Sequence, residues 1–337
     1  MAPVKTKHES WAFLPARRKE AFVKKIVVAG EILVEIMADT VGDGFLGPIA
    51  LTGPYPSGAP AIFIDQVARI GQPCGIISMV GNDDFGHLNI DRLAADGVDV
   101  SGIGIDSDRP TGSAFVRYRA DGSRDFVFNI SHSACGALPK GDAVQAMIGS
   151  ADHLHVMGSS LSSPEIIAFN IEAARTLRQK GGSVSFDPNL RKEILDAPGM
   201  ADAMQAILSL TDLFLPSGEE LTLLTRTKDE TAAVAELLES GIQAIVHKQG
   251  ARGVTYFDAS GSRFVPAFTV EEVDPTGAGD CFGGAFTALW LRNEDIDRAL
   301  TLAAAAGALA VTKRGPMEGA AMLETITAFA TSQGRRI

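Results

Sequence analysis

The sequence predicts an α/β protein with a mostly parallel central sheet, helices on both faces of that sheet, and a small separate β-layer. Short apolar runs rich in β-branched residues alternate with segments of helical periodicity along most of the chain, as in parallel strands joined by helical crossovers. Two extended regions, about 41–57 and 111–131, break this alternation. We expect them to form a β-sheet lid that stands off the main sheet.

Each element follows from its local pattern. The run IVVAGEILV at residues 26–34 predicts the first buried strand, and GIISMVG, HLHVMG, SVSFDP, LFLPS and AIVHKQG predict further strands. VTYFD and SRFVPA predict a hairpin. Helices are predicted at APAIFIDQVARIG and DDFGHLNIDRLAADG, and at residues 163–180, 217–225, 229–240, 277–292 and 295–312. In the lid, apolar and polar residues alternate in SAFVRYR and RDFVFNI, and the sequence ADGS between them predicts a hairpin turn. The Gly- and Pro-rich stretch 41–58 can hold only a short edge strand.

Composition and charge exclude several classes of protein. The 337 residues include 30 Lys+Arg and 41 Asp+Glu, and the net charge of −11 disfavours a general nucleic-acid binder. No apolar run approaches the roughly 18 residues that span a bilayer, so we expect no membrane partner. Cys74, Cys135 and Cys281 are too far apart for a disulfide framework, which favours reduced thiols in the cytoplasm. Residues 1–24 form a basic extension, and residues 25–337 are expected to form the folded domain.

The most informative stretch is VDPTGAGDCFGGAF at residues 273–286. Gly277, Ala278 and Gly279 open a predicted helix, where backbone N–H groups and the helix dipole make an anion site that small residues let a phosphate approach. A carboxylate beside a phosphate cradle repels the ligand, so Asp280 needs a separate function. It can accept a proton from a hydroxyl as that oxygen attacks phosphorus. The alternative is an acidic first turn that the helix dipole favours.

This stretch resembles the second signature of the PfkB (ribokinase-type) carbohydrate kinases. Further motifs of that family follow in its order: GEILVE, SGAPAIFIDQVARIG, MVGNDDFG, SFDPNLR, LFLPSGEEL, IVHKQGARG and AAAAGALAVTKRG. The resemblance covers about residues 25–315. It implies a ribokinase-like three-layer fold with a β-lid, and a kinase that uses ATP and Mg²⁺.

On the phosphate side, the resemblance identifies Asp280 as the catalytic base and Gly277, Ala278 and Gly279 as the anion hole. Glu220 matches the Glu of the family's NxxE motif, which helps to place Mg²⁺ through water, and Ser217 occupies the Asn position of that motif. The nucleotide is expected near these residues and near Lys248, Gly250, Gly253, Thr276 and Gly279. Asp274, together with Thr276 and the carbonyls near Gly315, resembles the monovalent-cation (K⁺) site of some members.

On the sugar side, the resemblance implies contacts from Glu35, Gly58, Asp187, Asn189, Arg191 and Asp280, and Arg117 on the predicted lid strand is a further candidate. Four positions depart from the family pattern. Ser217 replaces Asn, Glu35 replaces the usual Asp, Ser57 replaces the first Gly of the usual Gly pair, and Ile62 replaces the Asn that follows this pair. These changes cluster on the sugar side, which indicates altered specificity rather than loss of activity.

The sequence therefore predicts an ATP-dependent sugar kinase whose acceptor is a ketohexose of the fructose or tagatose type. The alternative acceptor is 2-keto-3-deoxygluconate, whose carboxylate Arg117 or Arg191 would bind. A nucleoside kinase and a non-catalytic sugar-binding protein are the remaining hypotheses. An uncovered lid face invites pairing with another subunit, so we expect a homodimer through the lid.

Overall fold

The computed structural model describes residues 24–42, 44–120, 124–190 and 199–337, and its central element is a nine-stranded sheet. The strands are β1 (Ile26–Ala29), β2 (Leu33–Ala38), β3 (Leu51–Ser57), β4 (Cys74–Gly81), β5 (Asp99–Asp106), β6 (Gly112–Tyr118), β7 (Arg124–Asn129), β8 (His153–Met157), β9 (Ser183–Asp187), β10 (Leu213–Phe214), β11 (Ala244–Lys248), β12 (Val254–Asp258) and β13 (Gly261–Val265). The α-helices are α1 (Ala59–Arg69), α2 (Asp84–Ala95), α3 (Asp142–Ser150), α4 (Pro164–Gln179), α5 (Met200–Leu208), α6 (Glu220–Leu223), α7 (Glu230–Glu239), α8 (Ala278–Leu291), α9 (Ile296–Ala310) and α10 (Leu323–Ser332).

The large sheet has the strand order β13-β12-β11-β10-β9-β8-β1-β4-β5. All neighbouring strands from β11 to β5 run parallel, whereas β12 pairs antiparallel with both β11 and β13. Because parallel strands end at one edge, the loops after β1, β8, β9, β10 and β11 meet there, which is where open α/β sheets bind ligands.

Alternation along β1 sends its side chains into two separate cores. Ile26 and Val28 join a cluster with residues of α1, α8, α9 and α10, whereas Val27 and Ala29 join a cluster with residues of α3, α4 and α5. A strand that is buried on both faces has to be apolar throughout, which explains the unbroken IVVA run. The result is the predicted arrangement of helix layers on both faces of one sheet.

Several helices begin where a short polar side chain accepts a hydrogen bond from the first turn. Asp83 accepts from Gly86 N at 2.8 Å, Asp229 from Ala232 N at 2.8 Å, and Asp295 from Arg298 N at 3.0 Å. Each cap satisfies a backbone donor that has no acceptor within its helix. The starts of α2, α7 and α9 are therefore set by local sequence.

The lid is a four-stranded sheet with the order β3-β2-β6-β7. The β2–β6 pair is parallel, and the two outer pairs are antiparallel. Part of the sequence prediction needs correction here. The predicted strand 26–34 is two strands, because the chain leaves the large sheet after Ala29 and enters the lid at Leu33, and the described part of residues 41–50 contains no strand. A continuous apolar run does not reveal that its two halves belong to different sheets.

The α/β fold class is confirmed, and four elements were missed. Strand β5 and helices α3, α5 and α10 had no prediction. The basic extension lies outside the described residues apart from Lys24, and Arg191 lies outside them as well. Within the described part of the chain, no helix is both long and apolar enough to span a lipid bilayer.

The contact between α1 and α8 makes a prediction about two adjacent glycines. A Cβ at Gly284 would lie 2.5 Å from the backbone oxygen of Phe63, whereas a Cβ at Gly283 would make ordinary contacts with the Phe63 ring at 3.6 Å and with Leu215 Cδ2 at 3.9 Å. We expect Gly284→Ala to lower the free energy of unfolding by about 1–3 kcal/mol through overpacking. The matched change Gly283→Ala should raise the free energy of unfolding by up to about 1 kcal/mol, because alanine has a higher helix propensity than glycine. Urea denaturation of both variants tests this, and equal effects would contradict the close helix contact.

Candidate active site

The candidate site is centred on the first turn of α8. Gly277 precedes this helix in a left-handed conformation (φ 83°), and a Cβ there would lie 2.5 Å from the carbonyl oxygen of Pro316. Backbone geometry and the neighbouring loop thus both require glycine at this position. The first N–H groups of the helix point toward the carboxyl edge of the sheet, where an anion can bind them. Asp280 lies in the same turn and is only 9% exposed.

A residue at the end of β9 holds this carboxylate. Asn189 Nδ2 donates to Asp280 Oδ1 at 3.0 Å, and the Asn189 backbone N–H donates to Asp187 Oδ1 at 3.1 Å. Asn189 adopts φ 40°, which is rare for a residue other than glycine. The loop after β9 and the start of α8 are therefore joined through one amide side chain.

Lys248, at the end of β11, brings positive charge to the same place. Its Nζ forms a buried ion pair with Asp187 Oδ2 and lies 3.7 Å from the position that a Cβ on Gly279 would occupy. Burial alone would lower the pKa of Lys248, but the carboxylates of Asp187 and Glu220 outweigh burial and raise it. The ammonium group beside the anion hole is therefore charged at neutral pH.

Glu220 connects two of the loops at this edge. Its Oε1 accepts from Leu190 N at 2.7 Å, and its Oε2 accepts from Ser217 N at 2.7 Å. Burial and the nearby Asp187 raise the pKa of Glu220 against the opposing effect of Lys248. The carboxylate orders the loops that follow β9 and β10.

The donor set around Glu220 fits a water-held magnesium ion. The described residues contain no cluster of three or more His, Cys, Asp or Glu side chains that could cage a metal. Mg²⁺ in phosphate-transfer sites is bound mainly by phosphate oxygens and water, with one or two carboxylates. Glu220, with Ser217 exposed beside it, supplies that kind of environment.

Asp274 is fully buried and accepts four hydrogen bonds. Its Oδ1 receives the Thr276 backbone N–H at 3.0 Å, the Thr276 hydroxyl at 2.7 Å and the Tyr118 hydroxyl at 3.1 Å, while Oδ2 receives Gly315 N at 3.0 Å. Burial, followed by the Asp274 charge, raises the pKa of Tyr118. Arg124 Nη1 donates to the Thr276 hydroxyl at 2.6 Å. Asp274 thus ties the lid hairpin to the loop before α8, and its role toward a monovalent cation stays a prediction.

Two buried carboxylates, Glu31 and Glu35, lie at the base of the lid, where the sequence predicts sugar contacts. Ser57 donates to Glu35 Oε1 at 2.8 Å, and Ser160 donates to Glu31 Oε2 at 2.5 Å. Gly58 begins α1 at φ 111°, and a Cβ there would lie 2.4 Å from the Glu31 carbonyl oxygen. Ile62 packs beneath the start of α8, so an apolar group fills the place where the family pattern has Asn.

Two of the predicted contacts lie elsewhere or show a different role. Arg117 pairs with Asp125 on the neighbouring strand at 2.7 Å, and it lies on the lid face opposite to that of Val116 and Tyr118. The structure does not bring it to Asp280. Gly253, at φ 119°, would place a Cβ 2.2 Å from Val265 O, so it shapes the start of the β12–β13 hairpin.

Sequence reasoning gave no role to Glu31, Tyr118 or Arg124. Glu31 lies two residues after the end of β1. Its position at the carboxyl edge of the sheet is the sequence feature that could have identified it as a site residue. Tyr118 and Arg124 reach the site only because the lid hairpin folds over it, and no local pattern reports such a contact.

Comparisons with known proteins agree with this geometry. Residues 23–322 match the model of the family described as pfkB family carbohydrate kinase. A 2-dehydro-3-deoxygluconokinase of Thermoproteus tenax is 33% identical over 302 residues, covering 87% of this chain and 90% of that protein. Fructokinase-2 of Zea mays is 29% identical over 302 residues, covering 86% of this chain and 89% of that protein.

Solved structures extend the similarity to the fold. An E. coli protein provisionally named ribokinase II is 50% identical with a TM-score of 0.88, covering 92% of this chain and 99% of that one. The Xylella fastidiosa fructokinase with bound ATP is 29% identical with a TM-score of 0.81, covering 93% and 100% of the two chains. The similarity extends over most of each chain, and this chain belongs to the pfkB family of carbohydrate kinases.

Proposed function

We propose that this kinase transfers the γ-phosphoryl group of MgATP to a hydroxyl of a neutral sugar, with a ketohexose of the fructose or tagatose type as the core of the acceptor. One observation carries the proposal. Asp280 stands in the first turn of a helix that opens with Gly277-Ala278-Gly279, Asn189 fixes one of its oxygens, and Lys248 lies against Gly279.

In this proposal each residue has one task. Asp280 accepts the proton of the acceptor hydroxyl as that oxygen attacks the γ-phosphorus, and the bond to the β–γ bridging oxygen breaks to release ADP. The N–H groups of the first turn of α8 and the Lys248 ammonium stabilise charge on the transferred group. Magnesium, when bound, neutralises phosphate charge. Glu220, together with Ser217, would hold it through water, and Gly250 and Gly253 shape the loop expected to border the nucleotide.

The charges around the acceptor side support a neutral sugar. Glu31 and Glu35 are carboxylates, whereas two of the described cations nearby are paired with aspartates, Lys248 with Asp187 and Arg117 with Asp125. A second candidate is 2-keto-3-deoxygluconate, which the similarity to the Thermoproteus tenax enzyme supports. Its carboxylate would require a cation such as Arg191, which lies outside the described residues.

Two properties of the whole molecule complete the proposal. The three cysteines are free and buried, which supports a cytoplasmic location. The lid carries exposed apolar side chains near the open edge of β3, with Leu46 exposed by 99%, Val41 by 62% and Leu51 by 41%. Because open strand edges with apolar neighbours favour association, we propose a homodimer through the lid.

Activity and the base assignment can be tested together. We expect ADP release in the presence of MgATP and a ketohexose, and we expect Asp280→Asn to reduce kcat by about 10²-fold or more because the hydroxyl loses its proton acceptor. A coupled assay against ketoses, aldoses, 2-keto-3-deoxy acids and nucleosides measures this. Asp297→Asn, with a side chain 71% exposed, is the matched control. Turnover of 2-keto-3-deoxygluconate alone would select the second candidate, and turnover of nothing would support a non-catalytic sugar binder.

The raised pKa of Glu220 predicts a pH dependence. The ionised carboxylate is the stronger acceptor for the two backbone N–H groups, and ionisation is lost as the pH falls through the raised pKa. We therefore expect kcat/KM to fall with decreasing pH at a value above the ordinary pKa of a glutamate. In Glu220→Gln this acid limb should move to lower pH and activity should drop. The adjacent exposed Glu219→Gln should leave the profile unchanged, and an unaltered limb in Glu220→Gln would contradict the assignment.

The homodimer makes its own prediction. Leu46→Asp combined with Leu51→Asp places charge on the proposed contact, so sedimentation velocity should show a monomer where the wild type shows a dimer. Met322→Asp, at a residue exposed by 58% outside the lid, is the control. A dimer that persists in the double variant would contradict the contact.

A further inference from the structure

The loop between α9 and α10, residues 311–322, lies against the start of α8. The carbonyl oxygen of Pro316 comes so close to Gly277 that a Cβ on this glycine would lie 2.5 Å from it. One residue earlier, Gly315 N donates to the buried Asp274 at 3.0 Å. The position of the α9–α10 loop therefore restricts where Gly277 can lie, and with it the direction of the first N–H groups of α8.

Arg92, in the last turn of α2, holds this loop through two of its nitrogens. Its Nη2 donates to the Met317 carbonyl at 2.8 Å, and its Nη1 donates to Glu318 Oε1 at 2.8 Å. The third nitrogen, Nε, donates to Asp96 Oδ2 at 2.6 Å. A planar guanidinium that serves three acceptors in fixed directions holds the loop in one position relative to α2.

The same network reaches α1. Asp65 on α1 is fully buried, and its Oδ2 accepts from Arg69 Nε at 3.1 Å and lies 3.8 Å from Arg92 Nη2. Asp96 Oδ2 also accepts from Arg69 Nη2 at 2.7 Å. Arg92 is therefore fixed from α1 as well as from its own helix, and it transmits the position of both helices to the α9–α10 loop.

The charges of this network balance at neutral pH. Burial and a hydrogen bond with Asp96 raise the pKa of Asp65 to about 8 against the opposing effect of Arg69. Burial would also raise the pKa of Asp96, but hydrogen bonds from Asp65 and Arg92 outweigh it and lower that pKa. The two arginine cations then face the carboxylates of Asp96 and Glu318, and Arg92 needs no further counter-ion to stay in place.

Stability alone does not account for a charged network between packed helices. Removing ions from water costs about as much free energy as their mutual attraction contributes, and apolar residues of similar volume often give equal or higher stability. An arginine adds direction, because each of its N–H groups fixes one acceptor. Here one of those acceptors is the Met317 carbonyl, which belongs to the residue that follows Pro316.

We propose that Arg92 is a positioning residue for phosphoryl transfer, which holds the α9–α10 loop so that Pro316 keeps Gly277 and the first N–H groups of α8 directed at the transferred group. The inference rests on the proposed kinase activity and deepens it. Charge on the transferred group develops in the transition state, so misdirected N–H groups lower kcat and leave the binding of the sugar nearly unchanged.

The kinetic test separates kcat from KM. We expect Arg92→Gln to lower kcat by at least about tenfold, because a small displacement in the site has effects of that size, while KM for the sugar changes less than about twofold. The matched control is Arg178→Gln. Arg178 lies in the last turn of α4 and donates in the same way to the Leu210 carbonyl at 3.1 Å and to Asp212 at 2.7 Å, both at the start of β10. It should keep the wild-type kcat.

Two results would overturn the proposal in this assay: a wild-type kcat in Arg92→Gln, or an equal loss of kcat in the control. If Arg92→Gln unfolds, Arg92→Lys decides. Lysine keeps the charge in the network but lacks the planar fork that reaches Met317 and Glu318 together, so kcat should still fall about tenfold. A wild-type kcat in Arg92→Lys would likewise overturn the proposal.

Hydrogen exchange separates this inference from the proposed function, because it requires no turnover. A peptide that covers residues 276–284 includes the Cys281 N–H, which donates to the Gly277 carbonyl at 2.8 Å. In Arg92→Gln this peptide should exchange about tenfold faster than in the wild type, and in Arg178→Gln at the wild-type rate. If no sugar is turned over, the proposed function fails, and this result would still support the role of Arg92. Faster exchange confined to α2 would overturn it.

Discussion

The buried ion pair between Lys248 and Asp187 is the interaction on which the rest of the site depends. It joins the ends of β9 and β11 and sets positive charge against the start of α8. A buried ion pair of this kind is stable only when its remaining hydrogen-bond donors and acceptors also have partners. The Asn189 backbone supplies a donor to Asp187, and the same residue's amide reaches Asp280. One hydrogen-bonded chain thereby links the ion pair to the candidate base, and Glu220 fixes the two intervening loops.

The second constraint is steric and acts through glycine. Gly277 must adopt a left-handed conformation beside Pro316, and Gly284 must let α8 touch the backbone of α1. Gly277 fixes where α8 starts, and Gly284 fixes how closely α8 lies against α1. The predicted anion hole therefore lies in a turn whose backbone conformation is set by local sterics, which is what an electrostatic site that works without reorganising requires.

The lid supplies what the large sheet cannot. Its inner face presents Glu35, Ala114 and Phe128 in one row, and its hairpin is tied to the large domain through Asp274 and Thr276. Its outer side carries the Arg117–Asp125 pair and exposed apolar residues near β3. One thin sheet thus separates a face turned toward the candidate site from a face that carries exposed apolar residues.

The sequence by itself determined the α/β class, the helix caps, and the glycine-rich turn with Asp280, because caps, periodicity and positive-φ turns are local properties. The family resemblance rested on these same local motifs. Only the tertiary structure decided that residues 26–38 split between two sheets, that Arg117 turns away from Asp280, and that Asn189 reaches Asp280 across 91 positions of sequence. Strand register and loop convergence arise from packing between distant segments, and so does the alignment of Glu35, Ala114 and Phe128 in one row. No short stretch of sequence contains that information, since the same apolar alternation fits either sheet and either face.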